Sequence, residues 1–422
     1  MSRANLVMVS FSAGALLCGS DAEAWTLKTL YSFCSENGCT DGTAPAAGLL
    51  QDASGNLYGT TEAGGAYNDG VVFALIPNGR KWKYKVLHSF CYSCGDGTNP
   101  VASLIIDTNG NLYGTTGQSG PTGCGTAFRL SPNADRSKWK EKTLYAASCA
   151  PSGNSVLTGL TYVGAASGAP YDGTSPLYGT TNSGGTGYGT IYRIMPKGTK
   201  WKETDLYAFC PEAGSGCVDG ENPGALILDA KGNLYGNTLY GGSAGAGTAY
   251  QLVPNADRTK WTEHIIYNFC SAASCTDGAN PEGALVMNGA GDLFGTVTAA
   301  AGESGGVYEL AERRKIWGET LLCTFLTGKC GEGYFPQAGV IVDASGNLYG
   351  TNSAGGSGLE GTVFEWNGSA VKTLYNFCTA ANCADGALPI APLLMDGSGN
   401  LYGTAVEGGS GNNGGTVFEL KR

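Results

Sequence analysis

The sequence predicts an all-β fold, a seven-bladed β-propeller of four-stranded blades, and three observations carry that prediction. The phrase Leu-Tyr-Gly, once as Leu-Phe-Gly, begins at Leu57, Leu112, Leu177, Leu234, Leu293, Leu348 and Leu401, with spacings of 55, 65, 57, 59, 55 and 53 residues. Around each copy lies the same succession of short apolar runs bounded by Gly, Asn, Asp or Pro, as strands and turns require. The two chain ends also complement each other, because residues 25–33 read as a fourth strand while the last unit stops after its third, Thr416 to Leu420. A 3+1 closure of the last blade by the N-terminal strand follows. An open β-solenoid, the alternative repeat fold, would leave both terminal strands unpaired.

The first unit shows why each element forms. Gly48-Leu49-Leu50-Gln51 is an inner strand, and Asp52-Ala53-Ser54-Gly55-Asn56 is a tight turn whose Asp and Asn accept local hydrogen bonds and whose Gly supplies positive φ. That turn also looks like a calcium loop, with ligand types at alternate positions of Asp107-Thr108-Asn109-Gly110-Asn111. The twelfth position is Gln118, however, so the bidentate acid is missing and the turn reading is preferred. Leu57-Tyr58-Gly59-Thr60-Thr61 follows as second strand, then a Gly-rich loop, Val71 to Leu75 as third strand, and Trp82 leading into Val86 to Phe90 as fourth. Trp recurs at this place as Trp25, Trp82, Trp139, Trp201, Trp261 and Trp317, with Ser369 breaking the series. One aromatic at one place in successive units predicts packing between blades rather than a sugar platform.

Residues 1–24 read as a secretory leader, with Arg3, an apolar run from Leu6 to Leu17 and the small-x-small pattern Ala22-Glu23-Ala24 before Trp25. The run is too short to span a bilayer, and Leu16 and Leu17 before Cys18 do not fit a lipidation site. Residues 25–422 are then one propeller domain with 14 cysteines. Six local pairs are expected as disulfides: Cys34/Cys39, Cys91/Cys94, Cys210/Cys217, Cys270/Cys275, Cys323/Cys330 and Cys378/Cys383, leaving Cys124 with Cys149. Such small rings contribute only about 2 kcal/mol each, so they clamp loops rather than hold the fold. Thiolate zinc is disfavoured in an exported chain with 2 histidines, so no metal site is assigned.

The chain is 422 residues long with 25 Lys+Arg against 35 Asp+Glu, a net charge of −10. An acidic chain of this kind is expected to lack the basic stripe that neutralises phosphates, and neither nucleic acid nor an anionic membrane surface is expected as a partner. The hydrophobic content of 42% excludes disorder.

The repeat resembles that of the exported tandem-repeat proteins called GloVer, or choice-of-anchor repeat, proteins. Their pattern Gly-x-Leu-x-Gly, a Gly-Gly loop, then Gly-x-Val-Phe-x-Leu is matched by Gly55-Asn56-Leu57-Tyr58-Gly59, Gly64-Gly65 and Gly70-Val71-Val72-Phe73-Ala74-Leu75. The resemblance covers the mature chain; single copies also look like kelch or NHL repeats. It implies export and surface or extracellular display, and it brings no catalytic residue. The chain ends two residues after its last strand without a sorting signal or membrane tail, so an attached anchor is not expected.

Function must then be sought on faces. If Gly-Leu-Leu is innermost, the fourth-to-first-strand loops share a face with the second-to-third-strand loops. The former carry Asp-Gly-x-x-Pro after the cysteine clamp, placing Asp41, Asp96, Asp219, Asp277 and Asp385 in a near-complete ring, with Glu332 as a variant and Ser152-Gly153-Asn154-Ser155-Val156 departing in blade three. These six acids are the candidate ligand-binding residues, able to hold calcium or hydrogen-bond sugar hydroxyls. The competing reading is that Asp-Gly-x-x-Pro only turns the chain. Tyr67, Asn68, Asp69, Tyr188, Tyr240, Glu303 and Glu360 lie in the other loops, and blade three carries an insertion from Ala165 to Pro176 containing Tyr171 and Asp172.

Catalytic motifs are weak. Gly241-Gly242-Ser243-Ala244-Gly245 and Gly302-Glu303-Ser304-Gly305-Gly306 spell a nucleophile elbow outside any strand-to-helix context. His88 and His264 both fall in fourth strands. The expectation is a monomeric, secreted or periplasmic, non-catalytic propeller binding a polysaccharide or extracellular protein, with no cofactor beyond calcium. The alternative is a glycan-active hydrolase or lyase using two carboxylates of the clamped face.

Overall fold

The computed structural model describes residues 25–147, 158–185, 187–198, 200–211, 216–300, 302, 304–325 and 331–422. The expected leader, residues 1–24, lies outside them. The architecture is all-β, with seven blades arranged as a propeller. Blade one is typical: an inner strand Leu50–Gln51, a second Leu57–Thr61, a third Val71–Asn78 and an outer Lys81–Ser89, each antiparallel to its neighbour. Blade three forms a three-stranded sheet from Leu177–Thr181, Thr190–Lys197 and Lys200–Ala208, with Thr161 bridging Tyr178 where its inner strand would lie. In blade seven the order runs from Thr26–Ser32 through Thr416–Lys421 and Leu401–Ala405 to Leu394–Met395. The N-terminal strand thus supplies the outer edge, with Thr26 opposite Lys421 and Ser32 opposite Thr416. It carries a bulge between Thr29 and Tyr31 at the position where the other six outer strands carry theirs, for example between Val72 and Phe73 opposite Lys81–Ser89.

The repeated glycine of the second strand is a packing requirement. Gly59 pairs with Phe73 of the third strand, and the Phe73 ring folds over it, so that a Cβ on Gly59 would stand 2.6 Å from Phe73 Cζ. The ring then meets the outer-strand Phe of the preceding blade edge-on. Phe33–Phe73, Phe90–Phe128, Phe209–Tyr250, Phe269–Tyr308, Phe325–Phe364 and Phe377–Phe418 have centroids 4.9 to 5.1 Å apart. Between blades two and three the relay is replaced by Tyr145 against Tyr192 at 5.8 Å. The tryptophans do pack between blades, as Tyr58–Trp139, Tyr113–Trp201, Tyr178–Trp261 and Tyr235–Trp317.

Polar groups are satisfied across the same interfaces. The residue after Leu-Tyr-Gly donates to a carbonyl of the segment that enters the next blade, as Thr115 Oγ1 to Thr158 O (3.1 Å), Asn237 Nδ2 to Gly283 O (2.9 Å) and Thr296 Oγ1 to Ala338 O (2.9 Å). Thr404 Oγ1 repeats this bond to Ala47 O at 3.0 Å, joining blade seven to blade one.

Two residues beyond each Trp the outer strand turns a side chain inward. Blades two to five place Glu141, Glu203, Glu263 and Glu319 there, and burial raises all four carboxyls, Glu263 to about 7 and Glu319 to about 8. The neighbouring aspartates, Asp219 beside Glu263 and Asp277 beside Glu319, push in the same direction.

Two outcomes follow from this packing. Gly59→Ala should lower unfolding free energy by about 1–3 kcal/mol, read by urea melts, because the Phe73 ring cannot retreat from a close-packed interface. Because Glu263 and Glu319 are raised above the ordinary 4.5, the folded chain prefers them neutral. Their contribution is fully present below pH ~4.5 and is lost as pH climbs through their folded values. The urea midpoint should fall between about pH 5 and pH 9, and Glu263→Gln/Glu319→Gln should flatten that fall.

Candidate functional site

The Asp-Gly-x-x-Pro loops are built from the aspartate outward. Asp41 is 2% exposed and its Oδ2 accepts the Tyr31 hydroxyl (2.7 Å), the Ser35 amide (2.9 Å) and the Ser35 hydroxyl (2.7 Å). Asp277 repeats this with Tyr267 and Ser271, and Asp385 with Tyr375 and Thr379. Asp219 accepts from Tyr207 and from the Cys210 amide. In blade one the tyrosine position is His88, whose Nε2 lies 2.8 Å from Asp96 Oδ2. Burial opposes ionisation of Asp41 and Asp277, yet the hydroxyl and amide donors hold both below the usual aspartate value. Glu332 differs: it is exposed, and the tyrosine position in its blade is Cys323.

Disulfides join Cys34 to Cys39, Cys91 to Cys94, Cys210 to Cys217, Cys270 to Cys275 and Cys378 to Cys383 around these aspartates. Cys124 and Cys323 are also disulfide-bonded, and their expected partners, Cys149 and Cys330, lie outside the described residues. So do Ser152 to Val156 and Glu303. The residue before each Pro sits near φ +57°, which suits Asn99, Asn222 and Asn280. Its amide crosses to the preceding blade, as Asn99 N to Asp69 O (3.1 Å), Asn222 N to Tyr188 O (2.9 Å) and Leu388 N to Glu360 O (2.9 Å). Clamped loops and second-to-third-strand loops therefore share one face.

At the centre of that face lies a cavity of about 550 Å³, lined by the residues that follow the Pro in blades two, four, five, six and seven, together with Thr158 to Thr161 of blade three. Among the described lining residues Glu282 is the one carboxylate, with Asn182, Asn222 and Gln337 as amides and Leu239 and Ile390 as apolar wall. Glu282 opens onto the cavity but is walled by protein. That partial desolvation raises its carboxyl, against a hydrogen bond from Gln337 Nε2 at 3.4 Å. Tyr240 and Phe335, 42% and 44% exposed, lie one residue after the lining residue Leu239 and two before the lining residue Gln337 in the chain. Comparison of residues after Pro in each repeat, Ala46, Val101, Gly224, Glu282, Gln337 and Ile390, was the sequence signal that would have singled out Glu282.

The blade-three insertion works elsewhere. Tyr171 is fully buried, edge-on to Tyr113 at 5.2 Å, and its backbone bridges Ile106 and Thr108 of blade two. Ala165–Ser167 comes against the inner strand Ile227–Leu228 of blade four. The insertion thus sits among inner-strand ends on the opposite face, where it borders a second cavity of about 740 Å³ with Leu50 and Ile105. The hairpin aspartates on this face are occupied within their turns: Asp52 accepts Asn56 Nδ2 (2.8 Å) and the Tyr58 hydroxyl (3.0 Å). Ser243 lies in a loop with its amide on Asn268 Oδ1, and His264 is exposed on an outer strand. Among the described residues no three His, Cys, Asp or Glu side chains gather as a metal site would require, and no helix is long and apolar enough to cross a membrane.

Solved structures resemble the chain at low similarity. A protein described as an oxidoreductase (glucose dehydrogenase) of Thermus thermophilus is 13% identical with a TM-score of 0.46, over 94% of this chain and 100% of that one. Trypanosoma rangeli sialidase in complex with the inhibitor DANA is 12% identical with a TM-score of 0.44, and the match spans 94% of this chain but 59% of the sialidase. Penicillium chrysogenum α-L-arabinanase complexed with arabinobiose is 14% identical with a TM-score of 0.45, over 75% of this chain and 91% of that one. No activity transfers at that level of likeness. No curated protein matches the chain. The profile of the Gloeobacter/Verrucomicrobia repeat, in contrast, matches residues 14–175 and 158–332, and with its seven Leu-Tyr-Gly blades the chain belongs to that repeat family.

Proposed function

We propose that this chain is an exported, non-catalytic binding propeller that takes an extracellular polysaccharide at the central mouth of its clamped face. The observation that carries the reading is the chemistry of the mouth: neutral amides, apolar wall and a single carboxylate, Glu282, among the described lining residues. Its volume of about 550 Å³ is that of a ligand pocket. Amides and one acid suit hydroxyl-rich ligands, and Tyr240 and Phe335 offer exposed rings beside them. Hydrolysis of a glycoside calls for two carboxylates across one bond, and the described lining residues offer one. The ring acids Asp41, Asp96, Asp219, Asp277 and Asp385 are assigned to shaping the loops, because one carboxylate oxygen of each, Oδ2, is already engaged by its own loop and strand. Export is supported by the five described disulfides.

A glycan array on residues 25–422, with and without calcium, tests the reading. Tyr240→Ala and Glu282→Gln should each weaken binding by about three- to tenfold, the worth of one stacked ring or one hydrogen bond. Asp41→Ala/Asp277→Ala should lower the melting temperature and leave the affinity of the folded fraction unchanged. Binding lost by the aspartate variant at unchanged melting would return the site to the ring. Release of reducing ends on prolonged incubation would overturn the non-catalytic reading.

A further inference from the structure

The net charge of −10 conceals a strong local excess of the opposite sign. The outer strands of blades one to three with their hairpins, residues 78–89, 133–146 and 197–208, hold eleven Lys and Arg against four Asp and Glu; the rest of the chain holds fourteen against thirty-one. Side chains alternate along a strand, so positions one before, one after and three after each Trp point away from the blade interior. Blade one has Lys81, Lys83 and Lys85 there, blade two Lys138, Lys140 and Lys142, and blade three Lys200 and Lys202. Seven of these eight are exposed. Two of the four acids, Glu141 and Glu203, alternate with the lysines and turn inward. The columns adjoin, because Lys85 Nζ donates to Arg136 O (2.7 Å) and Ser137 O (2.9 Å) of the next hairpin. Among the described residues none of Lys81, Lys83, Lys138, Lys140, Lys200 and Lys202 enters an ion pair.

Lysine on an edge strand also guards against edge-to-edge pairing. Every blade has such an edge, however, and blade five serves it with Ile316, Gly318 and Thr320 and blade four with Lys260, Thr262 and His264. The density in blades one to three therefore exceeds what edge protection demands. We propose that this wall of lysine columns is a second interaction surface, separate from the mouth, and that its partner is an extended polysaccharide bearing carboxylates. Lysine ammoniums are compact point charges suited to many single contacts along a flexible polyanion, whereas recognition of phosphate by shape favours arginine forks. Neighbouring lysines on one strand stand about 7 Å apart, which gives a linear polymer repeated contacts. The wall's exposed positions hold no aromatic side chain to enter a bilayer.

The test is binding of residues 25–422 to soluble polygalacturonate, with dextran as the neutral control. Affinity should fall about tenfold or more between roughly 50 and 200 mM salt, as expected when several charges are neutralised. Lys83→Glu/Lys140→Glu/Lys202→Glu should reduce it at least tenfold, whereas Lys231→Glu/Lys315→Glu/Lys372→Glu, the same charge change on blades four to six, should leave it within about twofold. Should the first triple melt below the parent, the Lys→Gln triple at the same positions replaces it and should still lose several-fold. Equal losses in both Glu triples, or no retention of the parent on polygalacturonate, would overturn the proposal, as would retention on duplex DNA or anionic vesicles in its place. Tyr240→Ala and Glu282→Gln should not change polygalacturonate binding, so failure at the mouth and failure at the wall are read separately.

Discussion

The structure depends on one contact made again and again: a third-strand aromatic ring lying over the glycine of Leu-Tyr-Gly and meeting the outer-strand Phe of the blade before it. A side chain at Gly59 would occupy the space of the Phe73 ring, and without that ring Phe33 loses its nearest edge-on partner in blade one. Each blade is thus half of two interfaces and cannot bury its faces alone. The Phe33–Phe73 contact is the same relay made by the chain's beginning on blade one. Thr404 to Ala47 O is its polar counterpart from the chain's end.

Buried polar groups impose a second constraint, visible where the repeat departs from itself. In most hairpins an Asp accepts an Asn four residues on and a Tyr six residues on, as in Asp343 with Asn347 and Tyr349. Blade five exchanges the pair, with Asn288 donating to Asp292, and the Tyr position becomes Phe294. A tyrosine hydroxyl there would have lost its acceptor, and burying it unpaired is costly. Asp292 finds Arg313 Nη1 at 2.8 Å instead. The clamped loops obey the same logic. His88 can serve Asp96 where Tyr serves its sisters, and Glu332 is exposed in the blade where Cys323 displaces the tyrosine.

Repetition therefore accounts for the groups that hold the ring together, and specific chemistry is to be sought in positions free to differ. Glu282 stands where other blades carry Ala46, Val101 or Gly224, small or apolar residues that could not make its hydrogen bond with Gln337 of the next blade. The lysine columns likewise occupy outward sites that blade five fills with Ile316, Gly318 and Thr320. Regular aspartates, by contrast, carry the signature of a structural role, since each is enclosed by its own loop and strand.

Seven blades, their strand order, the turn chemistry of Asp-x-x-Gly-Asn, the interblade tryptophans and five local cysteine pairs were legible in the sequence, because each depends on residues near one another in a repeating phrase. The fate of the aspartate ring was not. Asp-Gly-x-x-Pro fits a ligand ring and a buried turn equally well until Tyr31 and Tyr267, placed by their strands, are seen to take the carboxylates of Asp41 and Asp277. Nor could composition show that lysines of blades one to three adjoin, since a net charge sums over residues that the fold keeps on opposite sides. The unit and its period are local and could be read from the chain alone. Which repeated groups are consumed between blades, and which remain at the mouth and the wall, emerges only in three dimensions, because it depends on the side chains that the circular closure brings together.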